Sequence, residues 1–215
     1  MNYIAHLLLA EPTVDHRIGS LLADFTIGTI DAMQARFGIV IAAGIRHHRE
    51  IDRFTDTHAM VTHAIDAIKD DFGLYSGIVT DVVFDHFLLR HWSKYSRVPM
   101  DDFLDGVYQT LELAVQDGNV YPERFMQVVS RLLARRWLSS YQQIEMVGVA
   151  LNRVSERFSH HTPLENALPG ILASYETLET CFLAFFPELM AFSKAYLDDL
   201  GPALSGSGLD IGMVY

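Results

Sequence analysis

Residues 78–92, IVTDVVFDHFLLRHW, leave the chain few ways to fold. At 100° per residue, Ile78, Val79, Val82, Val83, Phe84, Phe87, Leu88 and Leu89 cover nearly every direction around a helix, so this segment belongs in an interior with other elements on most sides. Asp81 and Asp85 nevertheless share one narrow arc with Trp92, and His86 lies roughly one residue's turn away. An ionised carboxylate buried without a partner costs several kcal/mol or takes up a proton, and two of them at i and i+4 repel each other. A cation held between these acids and ligands from neighbouring helices removes both problems.

The rest of the chain repeats the helical period almost everywhere and the strand period almost nowhere. The pattern predicts helices near residues 3–10, 15–25, 38–54, 58–70, 75–95, 101–117, 122–136, 140–157, 167–184 and 187–200. Breaks fall at Glu11-Pro12, Asp71 to Gly73, Arg97 to Pro99, Asp117-Gly118-Asn119 and Thr162-Pro163. With 215 residues, half of them hydrophobic, the chain can bury one sizeable core. The expected fold class is therefore all-α, a single-domain helical bundle over residues 1–200. The stretch GPALSGSGLDIGMVY, residues 201–215, reads as a flexible C-terminal tail.

Charge and cysteine usage narrow the function. A formal net charge of −11 argues against nucleic acid as a partner, because phosphate contacts need a local excess of Lys and Arg. The lone Cys181, set in ETCFLAFFP, excludes an internal disulfide and a four-cysteine zinc site. The start, MNYIAHLLLAEP, has no positive segment before its short apolar run and makes a poor signal peptide. No run of apolar residues approaches the roughly 18 that a membrane helix needs. The expectation is a cytoplasmic protein with no membrane partner.

Ligands for the cation are written on other helices. In GIRHHREIDRFTD, residues 44–56, His48, Asp52 and Asp56 follow one another at i, i+4 and i+8, continuing the side of Ile41 and Ile45, so an apolar stripe becomes a chelating one. His47 points about 100° away and is read as lying outside the site, which makes His47→Ala a control. His6 interrupts the apolar YIAHLLLA, and Asp24 ends GSLLADF. Imidazole and carboxylate donors suit Mn²⁺, Mg²⁺, Fe²⁺ or Zn²⁺, and metal-assisted hydrolysis is the chemistry such a centre supports. Any one of these residues alone reads equally as a hydrogen-bonded structural group, and a metal-free helical adaptor is the alternative outside enzymes. The cluster of Asp24, His48, Asp52, Asp81 and Asp85 on apolar faces is what favours a shared ion. His58, His63 and His91 read as packing or surface residues, and His160-His161 as a loop pair.

Four motifs in order, N-Y-I-A-H-x-x-L-A at the start, G-S-L-L-A-D-F at 19–25, H-R-x-I-D-x-F-T-D at 48–56 and D-V-x-x-D-H-F-L at 81–88, resemble the acyl carrier protein phosphodiesterase family. The resemblance implies an all-helical, HD-domain-like phosphohydrolase, typically active with manganese. Its reaction would hydrolyse the phosphodiester linking 4′-phosphopantetheine to a serine of holo acyl carrier protein, leaving the apo carrier. His6, Asp24, His48, Asp52, Asp81 and Asp85 occupy motif positions and are the expected metal ligands. Asp24, Arg49 and His86 are the expected catalytic groups, Arg49 as a clamp on a non-bridging oxygen and His86 as acid for the leaving serine oxygen. The usual HD order, histidine followed by aspartate, is absent: here the dipeptide is Asp85-His86, and His48 precedes Arg49. The within-enzyme alternative is a phosphohydrolase of nucleotides or other small phosphoesters. Acyl carrier proteins are acidic as a family, so docking on a chain of this charge needs a local basic surface. Arg124, Arg131 and Arg135, within about 40° on one helix wheel, are the expected docking residues, and Arg46 with Arg53 a second candidate patch.

Overall fold

Apolar residues three and four apart wind the chain into twelve α-helices among the described residues, 1–200, of the computed structural model, with no β-strand among them. In chain order these are α1 (Tyr3–Leu9), α2 (Val14–Leu22), α3 (Ile30–Phe37), α4 (Ile39–Thr57), α5 (Ala59–Ala67), α6 (Lys69–Phe72), α7 (Ser76–Arg90), α8 (Met100–Gln116), α9 (Glu123–Arg135), α10 (Ile144–Ser155), α11 (Leu168–Ala173) and α12 (Tyr175–Leu200). They form one all-α bundle around a continuous apolar core. The expected tail at 201–215 lies outside the described residues.

The segment that opened the analysis is α7, and it does occupy the middle: α1, α5, α10 and α12 all pack on it. Val79, Val83, Phe84, Phe87 and Leu88 are wholly buried. Contrary to the expectation that no run would be long or apolar enough to span a membrane, Lys69–Arg90 meets that test by length and composition. Two features mark it as a core element instead. About two thirds of it (67%) is buried against other helices, and Gly73, at φ +53°, breaks it between α6 and α7.

Two glycines set the closest helix crossing. A Cβ on Gly19 of α2 would stand 2.1 Å from the Ile41 carbonyl oxygen, and one on Gly44 of α4 would stand 2.3 Å from that of His16. Only glycine lets the two backbones approach this closely. The crossing brings His48, one turn beyond Gly44, beside Asp24, which follows the end of α2.

Sequence and structure part company at three elements. Helix α3 was not expected, yet its signals are present: Thr29 Oγ1 accepts from the Ala32 N–H (3.3 Å), and Gly38, at φ +89°, ends it. It buries only Met33 and Phe37, so it carries too narrow an apolar stripe to be read by periodicity. The break expected between residues 184 and 187 does not occur, because α12 continues through Pro187. Proline forfeits one backbone bond there, but Phe182, Phe185, Phe186 and Leu189 are buried on both sides of it and hold the helix together. His47 lies outside the cluster but is no inert control: it is wholly buried, and its Nε2–H donates to Ser193 Oγ (2.9 Å), whose hydroxyl donates onward to the Leu9 carbonyl (3.3 Å). His47→Ala would open a cavity and strand Ser193, so it cannot serve as an inert comparison.

Candidate metal centre

Two helices and a turn meet around one carboxylate. Asp52 of α4 has Oδ1 3.2 Å from His6 Nε2 on α1 and Oδ2 3.0 Å from His48 Nε2 one turn earlier on its own helix. Asp24, in the turn after α2, adds an oxygen 3.2 Å from the same His48 nitrogen. One ligand atom from each of His6, His48 and Asp52 falls within 4.8 Å of the others. The two imidazoles are stacked, with ring centroids 3.7 Å apart and planes 15° from parallel.

Stacked imidazoles cannot comfortably both be cationic. Burial, the neighbouring His48 and the nearby amino terminus push His6 down to about 3, overcoming the pull of Asp52. Burial also works against the charge on His48, but its bonds to Asp24 and Asp52 outweigh that and raise it to about 9. One proton is thus held between two acids and two imidazoles. Both ring nitrogens of His6 and Nδ1 of His48 are buried without a hydrogen bond, although His6 Nε2 points at Asp52 from 3.2 Å. Imidazole nitrogens and carboxylate oxygens converging within 4.8 Å are a donor set that suits a divalent cation. Binding it would displace the His48 proton, so uptake should strengthen as pH rises toward about 9.

The α7 acids take up different positions. Asp81 is half-exposed and stands 3.1 Å from the Met1 amino group, which also lies 3.8 Å from Asp52. Asp85, wholly buried, accepts from the Ile4 N–H through Oδ2 (3.0 Å) and from the Ala5 N–H through Oδ1 (3.2 Å). Asn2, the local capping position of α1, makes no side-chain capping bond. Asp85 therefore satisfies the first amides of the helix that carries His6, with both oxygens engaged. Burial raises its carboxyl to about 7 against these two bonds. Asp56, at the end of the chelating stripe, is exposed and stands outside the cluster.

Two residues expected in catalysis are committed elsewhere. His86 Nδ1–H donates to the Tyr141 carbonyl (2.7 Å), which leaves Nε2 to accept from the Tyr175 hydroxyl (2.8 Å). It is a neutral structural histidine with no free nitrogen for a leaving group. Arg49 donates to the carbonyls of Gly28 (2.9 Å) and Thr26 (3.3 Å), pinning the loop that follows Asp24 onto α4. In this structure it is a strut for Asp24 rather than an open clamp. Arg49→Met should weaken metal binding and lower turnover about 10–100-fold, the usual cost of losing a group that orients a ligand. Titration calorimetry with Mn²⁺ distinguishes the roles, since loss of a phosphate clamp would raise KM while leaving metal affinity intact.

Asp24 and Asp81 also line a cleft of about 840 Å³. Tyr3, Trp137 and Tyr141 contribute aromatic surface to it. Of the arginines expected to dock a partner, Arg131 and Arg135 line this cleft and Arg124 does not. Arg153 and Arg157 line it too. The sequence reading passed over them, although an Arg pair at i and i+4 beside the apolar stripe of α10 was visible. Of the second candidate patch, Arg53 is paired with Glu50 at 2.6 Å.

An all-α bundle with a His–His–Asp cluster joined through Asp24 to a cleft defines a class, that of helical proteins with a candidate metal site. The particular family follows from comparison: the family model for acyl carrier protein phosphodiesterase matches residues 1–189, and the chain belongs to that family. It is 33% identical over 195 residues to the acyl carrier protein phosphodiesterase of Pectobacterium atrosepticum, covering 90% of this chain and 98% of that one. It is 32% identical over 192 residues to the same-named protein of Escherichia coli O139:H28, covering 89% and 96%. No solved structure matches the chain.

Proposed function

We propose that the chain hydrolyses the phosphodiester of holo acyl carrier protein, releasing 4′-phosphopantetheine and restoring the serine hydroxyl of the apo carrier. The observation that carries this reading is the convergence of His6, His48 and Asp52, with Asp24 linking His48 to a cleft lined by four arginines. Family membership supplies the substrate, since the relatives are named for it.

His6, His48 and Asp52 would hold the cation, Mn²⁺ in this reading, with Asp24 and Asp81 beside them. When bound, such an ion lowers the pKa of water and offsets charge on a phosphoryl oxygen. Asp24, facing both His48 and the cleft, is placed to orient the attacking water and accept its proton. His48 outweighs burial and holds the Asp24 carboxyl below the usual range, so it is ionised and able to accept at neutral pH. Arg49 keeps that carboxylate in register through the 26–28 loop. Asp85 keeps His6 in register through the start of α1.

The test is to incubate the protein with holo carrier and Mn²⁺ and to weigh the carrier by mass spectrometry. Loss of the phosphopantetheine mass, abolished by chelator and restored by metal, is the expected result. An unchanged carrier alongside turnover of a nucleotide would replace this reading with a small-phosphoester hydrolase. Protein purified without chelator and carrying no metal, with no turnover of either, would leave a helical adaptor.

A further inference from the structure

The two walls of the cleft carry matching pairs of guanidinium groups. Arg131 and Arg135 lie one turn apart on α9, and Arg153 and Arg157 lie four residues apart where α10 ends. All four are exposed, and among the described residues none is in an ion pair, although acids outnumber bases 27 to 16 in the chain. Arginines on so acidic a surface would ordinarily find carboxylates. The cleft's own acids do not neutralise them: Asp24 and Asp81 are engaged with His48 and the amino group of Met1, which leaves Glu156. Both walls act on the same floor. The Tyr3 phenol, raised by burial and by Asp24, is pulled back by Arg157 from one wall and Arg131 from the other.

A phosphodiester carries a single negative charge, and the pantetheine arm beyond it carries none. Four guanidinium groups outside any ion pair, lining one cleft, are more than that substrate group requires. We infer that both helices' arginines together grip the acidic protein surface surrounding the modified serine, with Arg153 and Arg157 of the α10 end completing the docking site that Arg131 and Arg135 begin. This rests on the proposed carrier substrate. It moves the docking site off the outer stripe that would have included Arg124 and into the cleft, so that the carrier's acidic surface straddles the opening while the arm points toward Asp24. Charge complementarity of this kind governs encounter and register rather than the bond-breaking step.

The experiment compares wild type with Arg131→Glu/Arg135→Glu, Arg153→Glu/Arg157→Glu and Arg124→Glu. Binding of fluorescently labelled apo carrier is measured by anisotropy at low and moderate salt, alongside KM and kcat for holo carrier and turnover of bis(4-nitrophenyl) phosphate. Each double variant should weaken apo-carrier binding by about tenfold or more at low salt, with the difference shrinking as salt rises. Arg124→Glu, outside the cleft, should stay within about twofold of wild type in apo-carrier binding and in hydrolysis of the small diester. If Arg153→Glu/Arg157→Glu binds apo carrier like wild type, the two-walled site is wrong, and equal weakening by Arg124→Glu would equally overturn it. The apo-carrier measurement needs no turnover, which separates the two ideas. Wall-dependent binding with an intact holo carrier would sink the proposed reaction and keep the docking site, whereas normal cleavage with charge-insensitive binding would do the reverse.

Discussion

Asp52→Ala is expected to strip the protein of bound metal and to lower carrier hydrolysis by on the order of 10³-fold, beyond the 10–100-fold typical of groups that only orient a ligand. Asp52 is the one side chain that touches both stacked histidines, with one oxygen toward each. Removing it leaves two imidazoles face to face with no shared anion, and Asp24 reaches only His48. Elemental analysis of protein purified without chelator, read beside the mass-spectrometric assay, checks both parts, and full metal content with full activity would remove Asp52 from the centre. Asp85→Ala makes an instructive contrast. Its loss leaves the Ile4 and Ala5 amides buried without acceptors, at about 1–3 kcal/mol for each unsatisfied group. Relief of acid–acid repulsion would have predicted a higher melting temperature for that variant. The capping geometry predicts a lower one, with activity falling because α1 no longer holds His6 in place. Asp85→Asn, which keeps one acceptor oxygen, should fall between.

Gly44→Ala should destabilise the fold by about 3 kcal/mol, the upper end of ordinary overpacking, and lower the melting temperature by roughly 10 °C for a chain of this size. The added methyl would sit 2.3 Å from the His16 carbonyl oxygen and 3.0 Å from the Ser20 nitrogen, both backbone atoms that no side-chain rotation can clear. The only relief is for α2 and α4 to separate. Separation draws Asp24 away from His48, so the variant should also bind Mn²⁺ more weakly even at temperatures where it remains folded. Gly77→Ala, on α7 with nothing within 4 Å of the added methyl, is the matched control and should leave both properties near wild type. A melting temperature for Gly44→Ala within 2 °C of wild type, on the order of the experimental scatter expected for a neutral change, would show that the crossing has slack that the backbone distances deny.

Much of this protein was legible before any fold was known. The helical period placed α4 and α7, and the interruption of apolar faces by His6, Asp24, His48 and Asp52 marked the residues that tertiary structure brings together. Such interruptions are informative because burying an unpaired charge is so costly that a chain retains one only with a partner. What the pattern could not say was which partner each acid has. Asp52 and Asp85 look alike on a helical wheel, yet one faces two imidazoles and the other two backbone amides. That difference depends on where the end of α1 lands on α7, a contact between residues about eighty positions apart. His86 and Arg49 were chosen for their chemistry, but tertiary contacts had already occupied their nitrogens with the Tyr141, Thr26 and Gly28 carbonyls and the Tyr175 hydroxyl. The basic cleft is likewise a product of packing: the sequence holds Arg131 and Arg153 on separate helices, and only the tertiary arrangement brings them to the lining of one cleft. Local sequence determines which side chains a helix presents together, because helical spacing is fixed, whereas the partner each meets is decided by long-range packing, which no single helix encodes.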